Sequence, residues 1–406
     1  MVSEGKLVDF DHVAAGHEGV QSTATGELIF KPCTQSEVDF YESAADHTAF
    51  HKHIPVHVGA LTLRSHMPDL SAIQQASSSG TPSLAASSIP EETPIMSSSL
   101  TPEMSKNIMP LMAPPPSQGW VPSGGKRIDS GLLIALENVA YGFERPNILD
   151  VKLGARLWAD DAPPAKRAKL DAVSKETTSS SLGFRIAGMK VWKNADAADK
   201  EAPTSLTTYD GNVFDKDGYR CYNKNYGRMF NDDDVKNGFE TYFYGLAGID
   251  RSRSKAIIER MLIDLRDIER VLTAEESRMY SSSILMVYEG DPKALNAALE
   301  IEHRRLSQPA NPKAGIMIEE PAAVEALSNI TDSVQPSSSH VNDENNIADD
   351  EEENEDEEDA GPKVYDVRMI DFAHASWTPG QGPDENVLKG IRNVIRILQG
   401  ILDDDL

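Results

Sequence analysis

The pattern of apolar and polar positions predicts strands in the first and central parts of the chain and helices after them. Leu28-Ile29-Phe30-Lys31-Pro32 follows a turn at Gly26 and reads as a strand carrying one lysine. Ser36 then reads as the N-cap of a helix containing Glu37, Phe40 and Tyr41. Leu132 to Leu136 is a continuous apolar run, a buried strand that exits into Glu137-Asn138-Val139. From Pro146 to Gly154, Ile148, Leu149, Val151 and Leu153 form a strand bounded by a proline and a glycine. Asp150 and Lys152 stand two apart in it, so both side chains leave one face. Ser181 to Gly188 and Ser281 to Glu289 read as two more strands, the second entered through hydroxyls. Between them Ile257, Ile258, Met261, Leu262, Leu265, Ile268 and Leu272 recur at helical spacing. An apolar strand from Val364 delivers Asp371 at its end, and Asp384 caps a last helix with Val387, Leu388, Ile391, Val394, Ile395, Leu398 and Ile401 on one side.

Two stretches break this pattern. Residues 65–125 are mostly Ser, Pro, Thr and Ala, which bury too little apolar area to offset ordering entropy. Residues 293–362 contain Ser/Pro-rich sequence and an acidic block whose like charges repel. Both are expected to be disordered insertions. The folded parts are then 1–64, the first part of a small β-rich lobe; 126–140, its end and a hinge; and 141–292 with 363–406, a larger lobe. Those parts leave roughly 280 residues for folding, enough for a two-lobed core.

Composition narrows the function. The formal charge of −26 points away from nucleic acid and from anionic membrane surfaces as partners. About a dozen of the negative charges lie between Asp343 and Asp359, so the folded part is only moderately acidic. Two cysteines, Cys33 and Cys221, supply neither a disulfide framework nor metal-ligand spacing, and both read as thiols in a reducing compartment. No apolar run reaches membrane-span length, and the expectation is a soluble intracellular protein.

Several residues carry candidate chemistry, each with a plainer alternative. Asp150 and Lys152 are either a solvated ion pair on a half-buried strand or part of a phosphoryl-transfer site. A strand lysine followed by a helix glutamate, Lys31 and Glu37, is how kinases hold nucleotide phosphates; a surface lysine and a capping glutamate would look the same. Gly16 and Gly19 in Val13–Gly19 suit a phosphate loop or a hairpin turn. Lys166, Arg167 and Lys169 could bind phosphates, act as a nuclear import signal, or form a solvated helix face. Arg185, Lys224 and Arg228 read as structural, and one serine of 281–283 as either a strand cap or a phosphate contact. Asp371 is either a turn former or a Mg²⁺ ligand, and His374 on its own an ordinary surface histidine.

Three segments together resemble the inositol polyphosphate kinase family. They are Pro146–Gly154, similar to its Pro-x-x-x-Asp-x-Lys-x-Gly signature; Ser181–Gly188; and Ile370-Asp371-Phe372-Ala373-His374. Within the family the chain is most similar to the multikinase branch in its fungal form. The resemblance implies an α+β, two-lobed kinase-like fold, with inositol-binding helices in segment 155–182 of the larger lobe. It implies ATP and Mg²⁺ as cofactors, with Lys31 on ATP phosphates, Glu37 as its partner, Glu137 and Val139 at the adenine, and Asp150 at the ribose. Asp371 would hold the metal and, with Lys152, carry catalysis. Lys152, Lys166, Arg167, Lys169 and His374 would bind substrate. Ala375 departs from the family, whose members often continue with Thr.

The activity so implied is phosphorylation of inositol 1,4,5-trisphosphate at its 6- and 3-hydroxyls to tetrakis- and pentakisphosphates. Two other readings stay open: an inositol hexakisphosphate kinase making pyrophosphates, and a scaffold or transcriptional co-regulator acting through the insertions. The expected partners are soluble inositol phosphates, with phosphoinositide lipids and transcription factors left open and no direct nucleic acid contact. A monomer in nucleus and cytoplasm is expected.

Overall fold

A computed structural model describes residues 7–10, 19–62, 130–193, 211–245, 249–307 and 362–404. The glycine segment from Val13 to Glu18, and the insertion at 65–125, lie outside them.

The small lobe contains β1 (Val8–Asp9), β2 (Gln21–Ser22), β3 (Leu28–Pro32), α1 (Gln35–Ser43), a 3₁₀ turn at Ala44–Asp46, α2 (Thr48–His51), β4 (His57–Thr62) and β5 (Leu132–Glu137). Its strands form one antiparallel sheet in the order β1-β2-β3-β5-β4. The cap of α1 is Thr34, whose hydroxyl accepts from Glu37 N, and not Ser36. Ser36 lies inside the first turn, where its hydroxyl donates to the Ala373 carbonyl.

The larger lobe begins with β6 (Pro146–Leu153), α3 (Pro164–Lys175), α4 (Thr178–Leu182), β7 (Phe184–Trp192), β8 (Val213–Lys216) and β9 (Tyr219–Tyr222). It continues with α5 (Lys224–Arg228), α6 (Val235–Tyr244), α7 (Arg251–Ala274), β10 (Ser277–Met279), β11 (Ser283–Glu289) and α8 (Pro292–Ser307). It closes with β12 (Tyr365–Ile370), β13 (Ala375–Trp377) and α9 (Glu385–Asp403). Six strands form an antiparallel sheet in the order β12-β11-β6-β7-β9-β8, and β10 pairs with β13.

β6 lies inside this sheet, and every residue of it except Lys152 is buried. Leu149, Val151 and Leu153 join the main core with Ile257, Ile258, Met261 and Leu265 of α7 and Ile391, Val394 and Leu398 of α9. Those helices carry the apolar stripes that the spacing predicts. Asp384 caps α9 through Asn386 N and Val387 N, and its second oxygen accepts from Met279 N at 2.7 Å.

Two expectations change. The strand read from Ser181 starts only at Phe184, because 178–182 forms a helical turn ended by left-handed Gly183, φ +74°. The insertion read from 293 opens with ordered α8: Asp291 Oδ1 accepts from Lys293 N and Ala294 N, and Leu295 and Ala298 are buried against β11. Leu295, Ala298 and Leu299 recur at helical spacing, which the polar residues around them mask.

Gly227 lets α5 lie directly on β7: a Cβ there would sit 1.9 Å from the Ile186 carbonyl oxygen. Since that obstacle is backbone, Gly227→Ala is expected to lose at least about 3 kcal/mol, read as a lower denaturation midpoint in urea.

Candidate active site

Three strands from distant parts of the chain end at one point. Lys31 projects from β3, and its Nζ lies 2.8 Å from Glu37 Oε1 and 2.7 Å from Asp371 Oδ1. Glu37 is in position because Thr34 starts α1, placing this carboxylate in the first helical turn, where it is fully buried. Lys152, from β6, reaches the other oxygen of the same carboxylate, Nζ to Oδ2 at 3.3 Å. Burial alone would lower the Lys31 pKa, but the Asp371 and Glu37 carboxylates outweigh it and hold the ammonium well above its usual range.

The backbone is bent to make this meeting. Asp371 follows the last residue of β12 with φ +69°, and Ser281 precedes β11 with φ +61°. Left-handed conformations at non-glycine residues cost about 1–3 kcal/mol each and concentrate at functional sites. The Ser281 carbonyl accepts from Lys152 Nζ at 2.8 Å, while its hydroxyl donates to the Leu157 carbonyl at 2.9 Å. Ser282 caps locally on Met279, so within the serine run it is a main-chain oxygen that touches the lysine.

Around this cluster the cleft face of the six-stranded sheet carries the remaining candidates. Ile148, Asp150 and Lys152 alternate onto that face, opposite Val287, Leu285 and Ser283 of β11. Ile148 and Val287 pack with the hinge residues Val139 and Ala140, and Leu285 and Phe143 lie against them. The result is an apolar cluster at the hinge, and along β6 buried Asp150 stands between Ile148 of that cluster and Lys152. Asn138 fastens the hinge through Gly26 and Glu27 carbonyls. The Glu137 carboxylate is taken up by Val56 N at 3.2 Å and Lys363 at 3.8 Å.

On the other flank, Lys166 Nζ lies 3.2 Å from His374 Nε2. Burial, and then the Lys166 ammonium, lower the His374 pKa below the ordinary histidine value; burial lowers that of Lys166 as well. Arg167, one residue along α3, turns to another face. It donates to the Ala162 and Asp160 carbonyls and stacks on Trp158, 4.7 Å from its ring centre. The structure therefore brings Lys166 to His374 but commits Arg167 to the loop before α3. Lys169 is exposed, one turn beyond Lys166.

Arg185, set aside as structural by its sequence context, is the cross-strand partner of Lys152. It donates to Ser179 Oγ at 3.0 Å. Burial and Arg228, partly offset by Asp150, bring its pKa down to about 10. A two-strand register, invisible in one sequence, was the signal needed to place it.

A model of the inositol polyphosphate kinase family matches residues 133–399. The chain belongs to that family. This inositol polyphosphate kinase is 30% identical over 404 residues to the inositol polyphosphate multikinase of Saccharomyces cerevisiae, covering 95% of the chain and 96% of the relative. It is also 30% identical over 280 residues to inositol hexakisphosphate kinase 1 of Rattus norvegicus, covering 67% of the chain and 52% of that protein. The solved inositol phosphate multikinase of S. cerevisiae, in complex with ADP and Mn²⁺, shares the fold. It superposes with a TM-score of 0.54 at 24% identity, over 93% of the kinase and all of that chain (100%).

His374 offers a check on the flank geometry. Its folded pKa is depressed, so the unfolded chain takes up the proton first, and stability present above the ordinary histidine range is lost as pH falls through it. In an NMR titration the His374 ring is expected to titrate below the ordinary value, and Lys166→Met to move it back up, since a like charge has been removed.

Proposed function

We propose that this kinase is an ATP-dependent inositol polyphosphate multikinase. It transfers the γ-phosphoryl group to the 6- and 3-hydroxyls of inositol 1,4,5-trisphosphate, giving tetrakis- and pentakisphosphates. The observation that carries the reading is the junction of Lys31, Asp371 and Lys152, one carboxylate with a lysine from each lobe at 2.7 and 3.3 Å. The likeness to the yeast inositol polyphosphate multikinase, which runs along nearly the whole of both chains, supports the multikinase assignment.

In this reading the adenine lies against the apolar cluster of Ile148, Val287, Val139 and Ala140, edged by the main chain of Glu137 and Val139. Asp150 takes the ribose. Lys31, oriented by Glu37, holds the phosphates as a fixed cation. Among the described residues no group of three or more His, Cys, Asp or Glu could hold an ion. Asp371, a carboxylate at a strand end, fits Mg²⁺, which is usually bound by one or two carboxylates plus nucleotide phosphates and water. Bound there, the ion would neutralise charge on the phosphates.

Lys152 lies between the γ-phosphate and the reacting hydroxyl, where its charge meets the negative charge spread over the transferring group. The Ser281 carbonyl and Asp371 hold it without further reorganisation. Such a transfer depends on positioning and electrostatics more than on a strong base, and no general base is assigned. Lys166, Lys169 and His374, on the flank formed by α3 and the end of β12, take the phosphates of the inositol substrate. His374, kept neutral by its surroundings, offers a hydrogen-bond donor.

The test is incubation with ATP, Mg²⁺ and a panel of inositol phosphates, with products resolved by anion exchange. The trisphosphate is expected to give tetrakis- and then pentakisphosphate. Pyrophosphates from the hexakisphosphate would instead favour the activity named for the rat relative. Lys152→Met is expected to lower kcat by about 100-fold or more while ATP still binds. If no inositol phosphate is converted in the presence of ATP, the proposal fails.

A further inference from the structure

Beyond the end of α2, the carbonyls of Lys52, His53 and Ile54 project in succession toward β12, and two neighbouring residues of that strand take all three. Arg368 Nη1 donates to Lys52 O at 3.1 Å and Ile54 O at 3.2 Å. Met369 N donates to His53 O at 2.7 Å. The guanidinium is itself fixed by Asp366, Nε to Oδ1 at 2.7 Å and Nη2 to Oδ2 at 3.5 Å. Asp366, Glu137 and Asp264 all favour its charge, although burial opposes it.

This clasp joins two parts of the proposed site. Toward the carboxylate, β12 runs from Arg368 through Ile370 to Asp371. Next to that carboxylate along the chain, Phe372 stacks on Phe40 of α1 at 4.8 Å and meets Phe50 of α2 edge-on at 5.9 Å. Toward the hinge, Lys363 bridges Asp366 at 3.4 Å and Glu137 at 3.8 Å, and Glu137 in turn holds Val56 N. The small lobe is thus tied to β12 at the turn after α2 as well as at Lys31.

We infer that Arg368 is a positioning residue for the nucleotide half of the site: by clasping the turn at 52–54 it sets the register in which Lys31 meets Asp371. The clasp acts through other groups and touches no reacting atom. It needs a planar fork that reaches two carbonyls and a carboxylate together, which a single ammonium does not supply. The inositol flank, formed by α3 and the end of β12, belongs to the same lobe as Arg368 and is expected to keep its place when the grip on the turn at 52–54 is lost.

The inference rests on the nucleotide reading proposed above, so ATP binding to the full chain is measured by calorimetry independently of which acceptor is used. Kinetics of Arg368→Ala, Arg368→Lys and Asp366→Asn then give KM for ATP, KM for the inositol phosphate, and kcat. Arg368→Ala is expected to raise KM and Kd for ATP about tenfold, the scale of one lost charge-assisted contact. Arg368→Lys should recover only part of this, and KM for the inositol phosphate should stay within about twofold in both, because the residues of the inositol flank are unaltered.

A fall in kcat alone, tracking the folded fraction with both KM values unchanged, would show a merely structural arginine and overturn the inference. So would an Arg368→Lys enzyme indistinguishable from wild type. Should Arg368→Ala not fold, the lysine and Asp366→Asn variants, assayed well below their melting midpoints, decide by the same split. A wild-type chain that binds no ATP would end the nucleotide reading itself, a result the variants cannot produce.

Discussion

A single carboxylate shared by two lysines organises this molecule. Asp371, Lys31, Lys152 and Glu37 are all largely buried, with side-chain exposures of 10, 12, 18 and 1%. Taking charges out of water is costly, and a buried ion pair is often no more stable than apolar packing. The cluster is tolerable because two cations meet two anions. Removing any one member would leave an uncompensated charge, a change that costs about 3–5 kcal/mol. Left-handed backbone at Asp371 and Ser281 adds strain to the same spot. A fold selected for stability alone has little reason to keep such an arrangement, whereas a site that must hold cations at fixed points beside phosphates does.

The scaffold that permits it is the alternation of β6. Leu149, Val151 and Leu153 are locked into the helical core, so Ile148, Asp150 and Lys152 must face the cleft. A slip of one residue would exchange those faces and put the carboxylate and ammonium into the core. The β6–β7 pairing shifts register between Asp150 and Val151, a bulge of the kind that re-aims side chains beside active sites. Where the strand ends, Gly154 adopts φ +92° against Asn386 of α9, whose side chain accepts from Ala155 N and Arg156 N. A Cβ at Gly154 would come within 2.5 Å of the Asn386 amide, which explains the glycine closing the Asp-x-Lys-x-Gly pattern. The strand carrying the lysine and the loop leading to Lys166 are therefore set by the same helix.

Much of this was legible in the sequence, for a local reason. Charged residues in apolar strands single out Lys31, Asp150, Lys152 and the strand-ending Asp371 with only a few neighbours in view, but each had a plainer alternative and only the resemblance of three motifs assigned their roles. What depended on long-range geometry was not legible. Thr34 and Ser36 are equivalent hydroxyls by sequence, and only the position of the chain leaving β3 chooses Thr34. Arg167 was a candidate because it stands in one basic run with Lys166 and Lys169. A helix, however, turns successive side chains to different faces, sending Arg167 to the Ala162 carbonyl. Arg185 beside Lys152, and the carbonyl of Ser281 in place of a serine hydroxyl, follow from strand register and from backbone dihedrals, which residue types alone do not specify.

The charge of the chain poses a last problem for a kinase whose proposed substrates are polyanions. A net charge of −26 should repel them, yet at physiological salt a charge more than about 8 Å away is largely screened. What governs binding is then the local field. Lys152 and Arg185 are cross-strand partners on the six-stranded sheet, Lys31 reaches the same carboxylate as Lys152 from the small lobe, and Lys166 and Lys169 stand on α3. Burial strengthens this field, because the low-dielectric walls weaken screening just where the cations converge. A polyanion that brings several phosphates to these points would meet several cations at once, while one with a single phosphate would meet fewer.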